Sequence, residues 1–177
     1  MSEIKIRDAV PADAMGIAIV QAYTWMTAYR GLMPDAVLQS RVNRVPAQAE
    51  YLVSQIGDGN YAVAECAGAI IGFAALSKSR DENYPKDGEI QALYLLQGFH
   101  GKKAGRRLFE YCAQKLRMKG CSHLIVNCLN GNPSMGFYLR MGGEIVGERM
   151  DTIRGGHIIR EKVIRFNLFE EGTTCVY

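Results

Sequence analysis

Apolar residues in this chain follow two periods in turn, and each change of period marks a new element. Ile4 and Ile6 alternate with Lys5 and Arg7, the pattern of a short half-buried strand. Pro11 suits the first turn of a helix, and Met15, Ala18, Ile19, Ala22 and Met26 follow at helical spacing until Gly31 ends the pattern. Pro34-Asp35 opens a second helix, predicted from Asp35 to Ser54. The period then shortens. Tyr61 to Glu65 and Ile70 to Leu76 flank a turn at Ala67-Gly68 and read as a hairpin, and the polar stretch from Ser77 to Asp87 reads as a loop. Gly88 to Leu96 is a buried strand.

The clearest helix is predicted from Lys102 to Lys119. Leu108, Cys112 and Leu116 stand four apart beside Phe109 and Ala113, with Arg107, Glu110, Gln114 and Arg117 outside that face. Lys119-Gly120 is a typical stop. His123 to Asn127 is another strand. Asn132-Pro133 starts a short helix, with Asn132 as its N-cap and Pro133 at its first position, and Gly142-Gly143 ends it. Two final strands, about 144–151 and 157–167, meet at Gly155-Gly156. The order βααβββαβαββ predicts an α/β fold with a mixed, mainly antiparallel sheet flanked by helices.

Composition narrows the function without choosing it. The 177 residues suit a single domain over 1–177, 48% of them hydrophobic and 22% charged. A formal net charge of +3 is too small to predict a nucleic-acid partner, so an anion must be met by a local cluster. No run reaches the ~20 apolar residues of a membrane span, and the charged, alternating N-terminal stretch lacks the apolar block of a signal peptide. The five cysteines are scattered without a CxxC pair, and Cys112, Cys121 and Cys128 near His123 match no zinc spacing. The expectation is a reduced, cytoplasmic domain with no metal.

Chemistry concentrates between Glu89 and Gly143. A buried strand runs into His100-Gly101-Lys102-Lys103-Ala104-Gly105, which opens the amphipathic helix. Main-chain N–H groups at a helix start, reinforced by the macrodipole, favour an anion. Gly101 and Gly105 leave room for close approach, and Lys102, Lys103, Arg106 and Arg107 add four cations. A diphosphate fits this arrangement. Neither a Walker A loop nor a GxGxxG fingerprint is present, which makes another nucleotide the poorer reading.

The segment from Leu93 to Leu108 resembles the signature of the GNAT superfamily of N-acetyltransferases, in particular bacterial members that act on small molecules. There a strand leads into Gln/Arg-x-x-Gly-x-Gly/Ala at a helix start. A second block, Gly131 to Gly143, resembles the family's Asn-Pro-x-x-x-Phe-Tyr-x-x-x-Gly-Gly element, and Tyr29 to Pro34 looks like the entrance of bacterial members. Two positions depart from the pattern. His100 stands where Gln or Arg is usual, and Lys103 stands where the central Gly is expected. Ordinary helical angles at Lys103 leave its amide able to donate, whereas a positive φ there is costly for a residue other than glycine.

The resemblance implies acetyl-CoA as co-substrate, held by Leu93, Tyr94 and Leu95 through their main chain and by His100, Gly101, Lys102, Lys103, Ala104, Gly105 and Arg106 around the pyrophosphate. Asn132 and Ser134 would meet the pantetheine arm, although an N-cap accounts for Asn132 without any ligand. Arg106 and Arg107 would reach the 3′-phosphate or simply form a solvated helix face. Tyr138 matches the tyrosine that relatives place beside the sulfur, with a core aromatic as the plainer alternative. Glu89 resembles the acidic residue used as general base, often through water. A strand-end carboxylate or an anchor for a substrate ammonium is the alternative. Trp25, Tyr29 and Arg30 would line the acceptor pocket, unless they are only a helix face.

Direct transfer to a primary amine is therefore expected, from a small molecule or a protein N-terminus, with loops 28–45 and 77–87 deciding the acceptor. Neither motif block supplies a cysteine for an acyl-cysteine route. A homodimer is common in the family. The rival expectation is a GNAT-fold module that binds acyl-CoA without turnover.

Overall fold

A computed structural model of the chain describes residues 3–153 and 156–169. The elements run β1 (Ile4–Asp8), α1 (Ala14–Ala28), α2 (Asp35–Asn43), α3 (Val45–Gln55), β2 (Tyr61–Cys66), β3 (Ala69–Lys78), β4 (Gly88–Leu95), α4 (Ala104–Met118), β5 (His123–Leu129), α5 (Met135–Arg140), β6 (Glu144–Ile153) and β7 (His157–Asn167). The strands form a seven-stranded sheet in the order β1-β2-β3-β4-β5-β7-β6. Pairing is antiparallel for β1–β2, β2–β3, β5–β7 and β6–β7 and parallel for β4–β5. This is the mixed, mostly antiparallel α/β fold expected from the element order. Of the predicted β6–β7 turn, Gly155 lies outside the described residues, as do Met1 and Ser2.

Three local outcomes follow from backbone chemistry. The segment predicted as one helix over 35–54 is two, because Pro46 has no N–H and disfavours helical angles just before it. Arg44, at φ −102° and ψ 8°, makes the break. The β2–β3 turn has positive φ at both central residues, Ala67 (50°) and Gly68 (78°), as a two-residue hairpin loop requires. Asn132 is not the residue next to α5. Its Oδ1 accepts the Ser134 N–H at 2.8 Å, and its own carbonyl accepts the Met135 N–H at 3.1 Å. Asn132 and Pro133 thus form a turn before the helix, since an Asn side chain bonding the main chain two residues on builds a turn of its own.

The chain gathers into two compact units, Met1–Ala75 with Ala92–Tyr111, and Leu76–Gln91 with Cys112–Tyr177. In the first, Ile17, Ala18 and Val20 of α1 and Leu52 of α3 join Val63 and Phe73 in one apolar cluster. Met15 and Ile19 of the predicted α1 face are exposed instead. That helix is apolar nearly all round, so its period does not choose the face. In the second unit Leu124, Val126, Ile164 and Phe166 are buried. A Cβ placed on Gly143 would stand 2.5 Å from Ile164 Cγ2 and 2.6 Å from Phe166 Cζ, so only glycine lets α5 end there.

Candidate active site

The first unit holds the loop between β4 and α4. After Leu95 a single turn, Gln97–Phe99, leads to His100 and on to α4. His100 Nε2 lies 3.1 Å from the Leu95 carbonyl oxygen and ties the loop to the end of β4. Gly101 and Lys103 both have positive φ, 76° and 59°. Lys103 therefore takes the costlier of its two expected conformations, at about 1–2 kcal/mol for a residue with a Cβ. A chain that alternates into left-handed angles turns successive N–H groups toward one concavity. Lys103 immediately precedes α4, and an ammonium has no acceptor with which to cap the helix. The first N–H groups of α4 are thus suited to an outside anion.

The nearby cations are partly engaged. Lys102 Nζ sits 4.9 Å from the Phe99 ring centre. Arg106 Nε donates to Glu110 Oε1 at 2.7 Å, and Arg107 Nη1 donates to the Ile4 carbonyl at 2.9 Å. A guanidinium carries five N–H donors, so one such bond leaves capacity for a phosphate.

Also in this unit, the predicted acceptor residues meet a strand residue that sequence reasoning had used only for its main chain. Trp25 Nε1 donates to the Tyr94 hydroxyl at 3.1 Å, and the Tyr29 hydroxyl lies 3.2 Å from the same oxygen. Trp25 and Tyr29 pack edge to face at 4.9 Å, and the Arg41 guanidinium lies 3.9 Å over the Trp25 ring. Tyr94 is the hub of a polar-tipped aromatic cluster at the end of α1. Arg30 is exposed and bridges to Met33 through the main chain.

In the second unit Glu89 is fully buried, near the start of β4. Its pairing with β5, Gly88 with Leu124 and Glu89 with Ile125, fixes where the side chain emerges. Arg80 grips the carboxylate three ways. Its main-chain N–H reaches Oε2 at 2.9 Å, Nε reaches both oxygens at 3.2 Å, and Nη2 reaches Oε1 at 2.6 Å. Asn127 Nδ2 adds a bond to Oε1 at 3.3 Å. The carboxylate in return holds the Arg80 guanidinium above its ordinary range. Sequence reasoning missed both partners. Asn127 gave a signal, a polar residue on the same face as Ile125 inside the apolar run 124–129. Arg80, in a polar loop, gave none.

Tyr138 is 6% exposed on α5, with its ring 5.3 Å from that of Phe137. Gly143 N–H closes the helix on the Tyr138 carbonyl at 3.1 Å, which anchors its position. Asn132 is buried and Ser134 exposed. Burial pushes the Cys128 thiol up to about 11, so it is not a nucleophile at neutral pH. Among the described residues no three His, Cys, Asp or Glu side chains group to hold a metal, and no helix is long and apolar enough to cross a membrane.

A helix start that follows a strand and carries uncapped N–H groups suits a diphosphate, the anion that coenzyme A carries. The chain belongs to the Acetyltransferase (GNAT) family, whose pattern it matches over residues 24–143. A Bacillus subtilis relative, named uncharacterized N-acetyltransferase YuaI, is 30% identical over 152 residues, 86% of this chain and 87% of that protein. The fold is shared with solved structures at lower identity. The PaiA N-acetyltransferase of Thermoplasma acidophilum, solved with coenzyme A, matches with a TM-score of 0.71 at 18% identity, over 93% of this chain and 99% of the other. A GCN5-related N-acetyltransferase from Rhodopseudomonas palustris matches at 0.75 and 17%, over 94% and 97%. The YncA protein of Salmonella typhimurium, solved with acetyl-CoA, matches at 0.64 and 16%, over 99% and 100%.

Proposed function

We propose that this enzyme moves an acetyl group from acetyl-CoA to a primary amine by direct attack within a ternary complex. The observation that carries the reading is the entry to α4, where left-handed Gly101 and Lys103 precede a helix start whose last loop residue cannot cap it. The pyrophosphate of coenzyme A is an anion of the size and charge such a start accepts. His100 keeps the loop on the strand, and Lys102, Lys103 and Arg106 supply charge. The main chain of Leu93, Tyr94 and Leu95 would run beside the pantetheine arm, as a strand edge does beside an extended chain. Asn132 and Ser134 would meet the same arm. The family match covers residues of both compact units, which supports reading 1–177 as one acetyltransferase domain.

The chemistry then needs a neutral amine, a stabilised oxyanion and a place for the thiolate. An alkyl amine, with a pKa of ~10.4, arrives as ammonium and must lose a proton. Glu89 would accept that proton or anchor the ammonium. Tyr138 serves the departing sulfur. A phenol (pKa ~10) is a weaker acid than a thiol (~8.5), so hydrogen bonding to the developing thiolate precedes any full proton transfer. Trp25, Tyr29 and Arg30 would border the acceptor, a small-molecule amine or a protein N-terminus.

A second reading, acyl-CoA binding without turnover, is favoured by one observation, the Arg80 guanidinium that occupies Glu89. Calorimetric titration with acetyl-CoA, followed by thiol release with an amine panel, separates the two. Amine-dependent thiol release supports the enzyme, and binding without release across the panel supports the module. No binding at high micromolar acetyl-CoA overturns both.

A further inference from the structure

The surroundings of Glu89 raise a question of access. Its side chain is 1% exposed, whereas that of Arg80 is 54% exposed. The guanidinium therefore stands on the solvent side of a carboxylate that has almost no surface of its own. The bonds holding that carboxylate also divide into two kinds. The Arg80 N–H and Asn127 Nδ2 come from the main chain and from a strand side chain, and stay in place whatever the Arg80 side chain does. The bonds from Nε and Nη2 belong to a long side chain on the 79–87 loop and can leave together.

We propose that Arg80 controls access to Glu89, its guanidinium holding the place on that carboxylate that the acceptor ammonium takes. Amine binding and release of the Arg80 head are then one coupled exchange. The inference rests on the reading that Glu89 meets the acceptor amine.

The charges nearby require that the exchange bring in a cation. Glu161 on β7 and Arg149 and Asp151 on β6 belong to the same electrostatic neighbourhood as Arg80 and Glu89. Arg149 Nε is 3.3 Å from Glu161, and its Nη2 is 2.7 Å from Asp151. Burial, with Asp151 and Glu89 adding repulsion, holds the Glu161 carboxyl above its usual range while Arg149 and Arg80 oppose the rise. If Arg80 swings out unreplaced, Arg149 is left, of the two arginines acting on Glu161, to balance Glu89, Asp151 and Glu161. An ammonium restores the lost charge, and a neutral acceptor does not. Asn127 Oδ1 is buried without a hydrogen-bond partner among the described residues, an acceptor suited to one of the ammonium's three N–H groups. No proton moves in the exchange itself. The amine loses its proton only afterwards, to the carboxylate it has reached.

The gate makes acceptor affinity the affinity of the open site multiplied by the fraction of time that site is open. Arg80→Ala removes the guanidinium and keeps the main-chain N–H. We expect methylguanidinium and methylammonium to raise the melting temperature of Arg80→Ala saturably, to act on wild type only at concentrations about tenfold higher if the open arrangement is populated one part in ten, and to leave the Arg80→Ala/Glu89→Gln double variant unmoved. With any amine that supports thiol release, KM for the amine should fall, by about tenfold if the open arrangement is populated one part in ten. Arg80→Gln carries both measurements if Arg80→Ala does not fold. Absence of Glu89-dependent cation binding, or a KM that stays or rises, would overturn the gate. A wild type that binds acetyl-CoA and releases no thiol sinks the transferase reading instead, and the cation titration still decides the gate.

Discussion

His100 Nε2 stands 3.1 Å from the carbonyl oxygen of Leu95, so the side chain that departs from the usual Gln or Arg still fastens the loop before α4 to the strand that precedes it. A ring N–H, a primary amide and a guanidinium all donate to a carbonyl, which explains the tolerance of histidine. Replacing His100 by alanine should weaken coenzyme A binding about fivefold, the equivalent of one ordinary hydrogen bond. His100→Gln should restore it. Calorimetry on the two variants checks this.

Lys103 at φ 59° stores backbone strain that glycine would not. Lys103→Gly should gain about 0.5 kcal/mol in urea denaturation, the relief of left-handed strain outweighing the entropy glycine adds to the unfolded chain. Lys103→Ala keeps the Cβ and should show no gain. The glycine variant should also bind coenzyme A with a shallower salt dependence, having lost one ammonium beside the loop.

Tyr138→Phe removes one hydroxyl from a buried ring that stays packed against Phe137. If that hydroxyl serves the departing sulfur, kcat should fall about 10- to 100-fold while KM for acetyl-CoA stays near the wild-type value. A packing role alone, which phenylalanine keeps, would leave kcat intact.

Stability should depend on pH through Asp13, whose carboxylate accepts Arg7 Nη1 at 2.7 Å, Arg7 Nη2 at 2.9 Å and the Val10 N–H at 2.8 Å. The Arg7 guanidinium holds its pKa below the usual carboxylate range. A depressed folded pKa stabilises fully above the unfolded value of about 3.9, and that contribution is lost as pH falls through the folded value. Chemical denaturation from pH 6 down to pH 2 should show a loss below about pH 4 that is smaller in Asp13→Asn. At neutral pH the same variant should be less stable by about 1–3 kcal/mol.

The Cys128 thiol, pushed up to about 11 by burial, should resist iodoacetamide at pH 8 in the folded protein and react once urea unfolds it. Peptide-mapping mass spectrometry, which separates Cys128 from the other four cysteines, reads both states. Rapid labelling of the native protein at Cys128 would contradict its buried placement.

Most of the elements were legible because their signals are local. The α4 stripe of Leu108, Cys112 and Leu116, the Ala67-Gly68 turn and the Gly142-Gly143 stop each depend on a few neighbouring residues. Arg44 was not read as a break because Pro46 suits an early helical position as well as it interrupts a long helix. The face of α1 was misread at Met15 and Ile19 because apolar residues surround that helix, and only its partners decide which are covered.

The sequence by itself determined the order of elements, the two motif blocks and the chemical types available in them, since these depend on spacing and side-chain identity. Tertiary structure alone decided what each group meets. It set Lys103 at a positive φ, drew Trp25 and Tyr29 onto the Tyr94 hydroxyl, and closed Arg80 and Asn127 around Glu89. Asn127 lies 38 residues from Glu89 along the chain, and Tyr94 lies 69 from Trp25. Such partners are chosen by strand register and by the burial of a charge, and a charge excluded from water takes whichever donor the fold brings within reach.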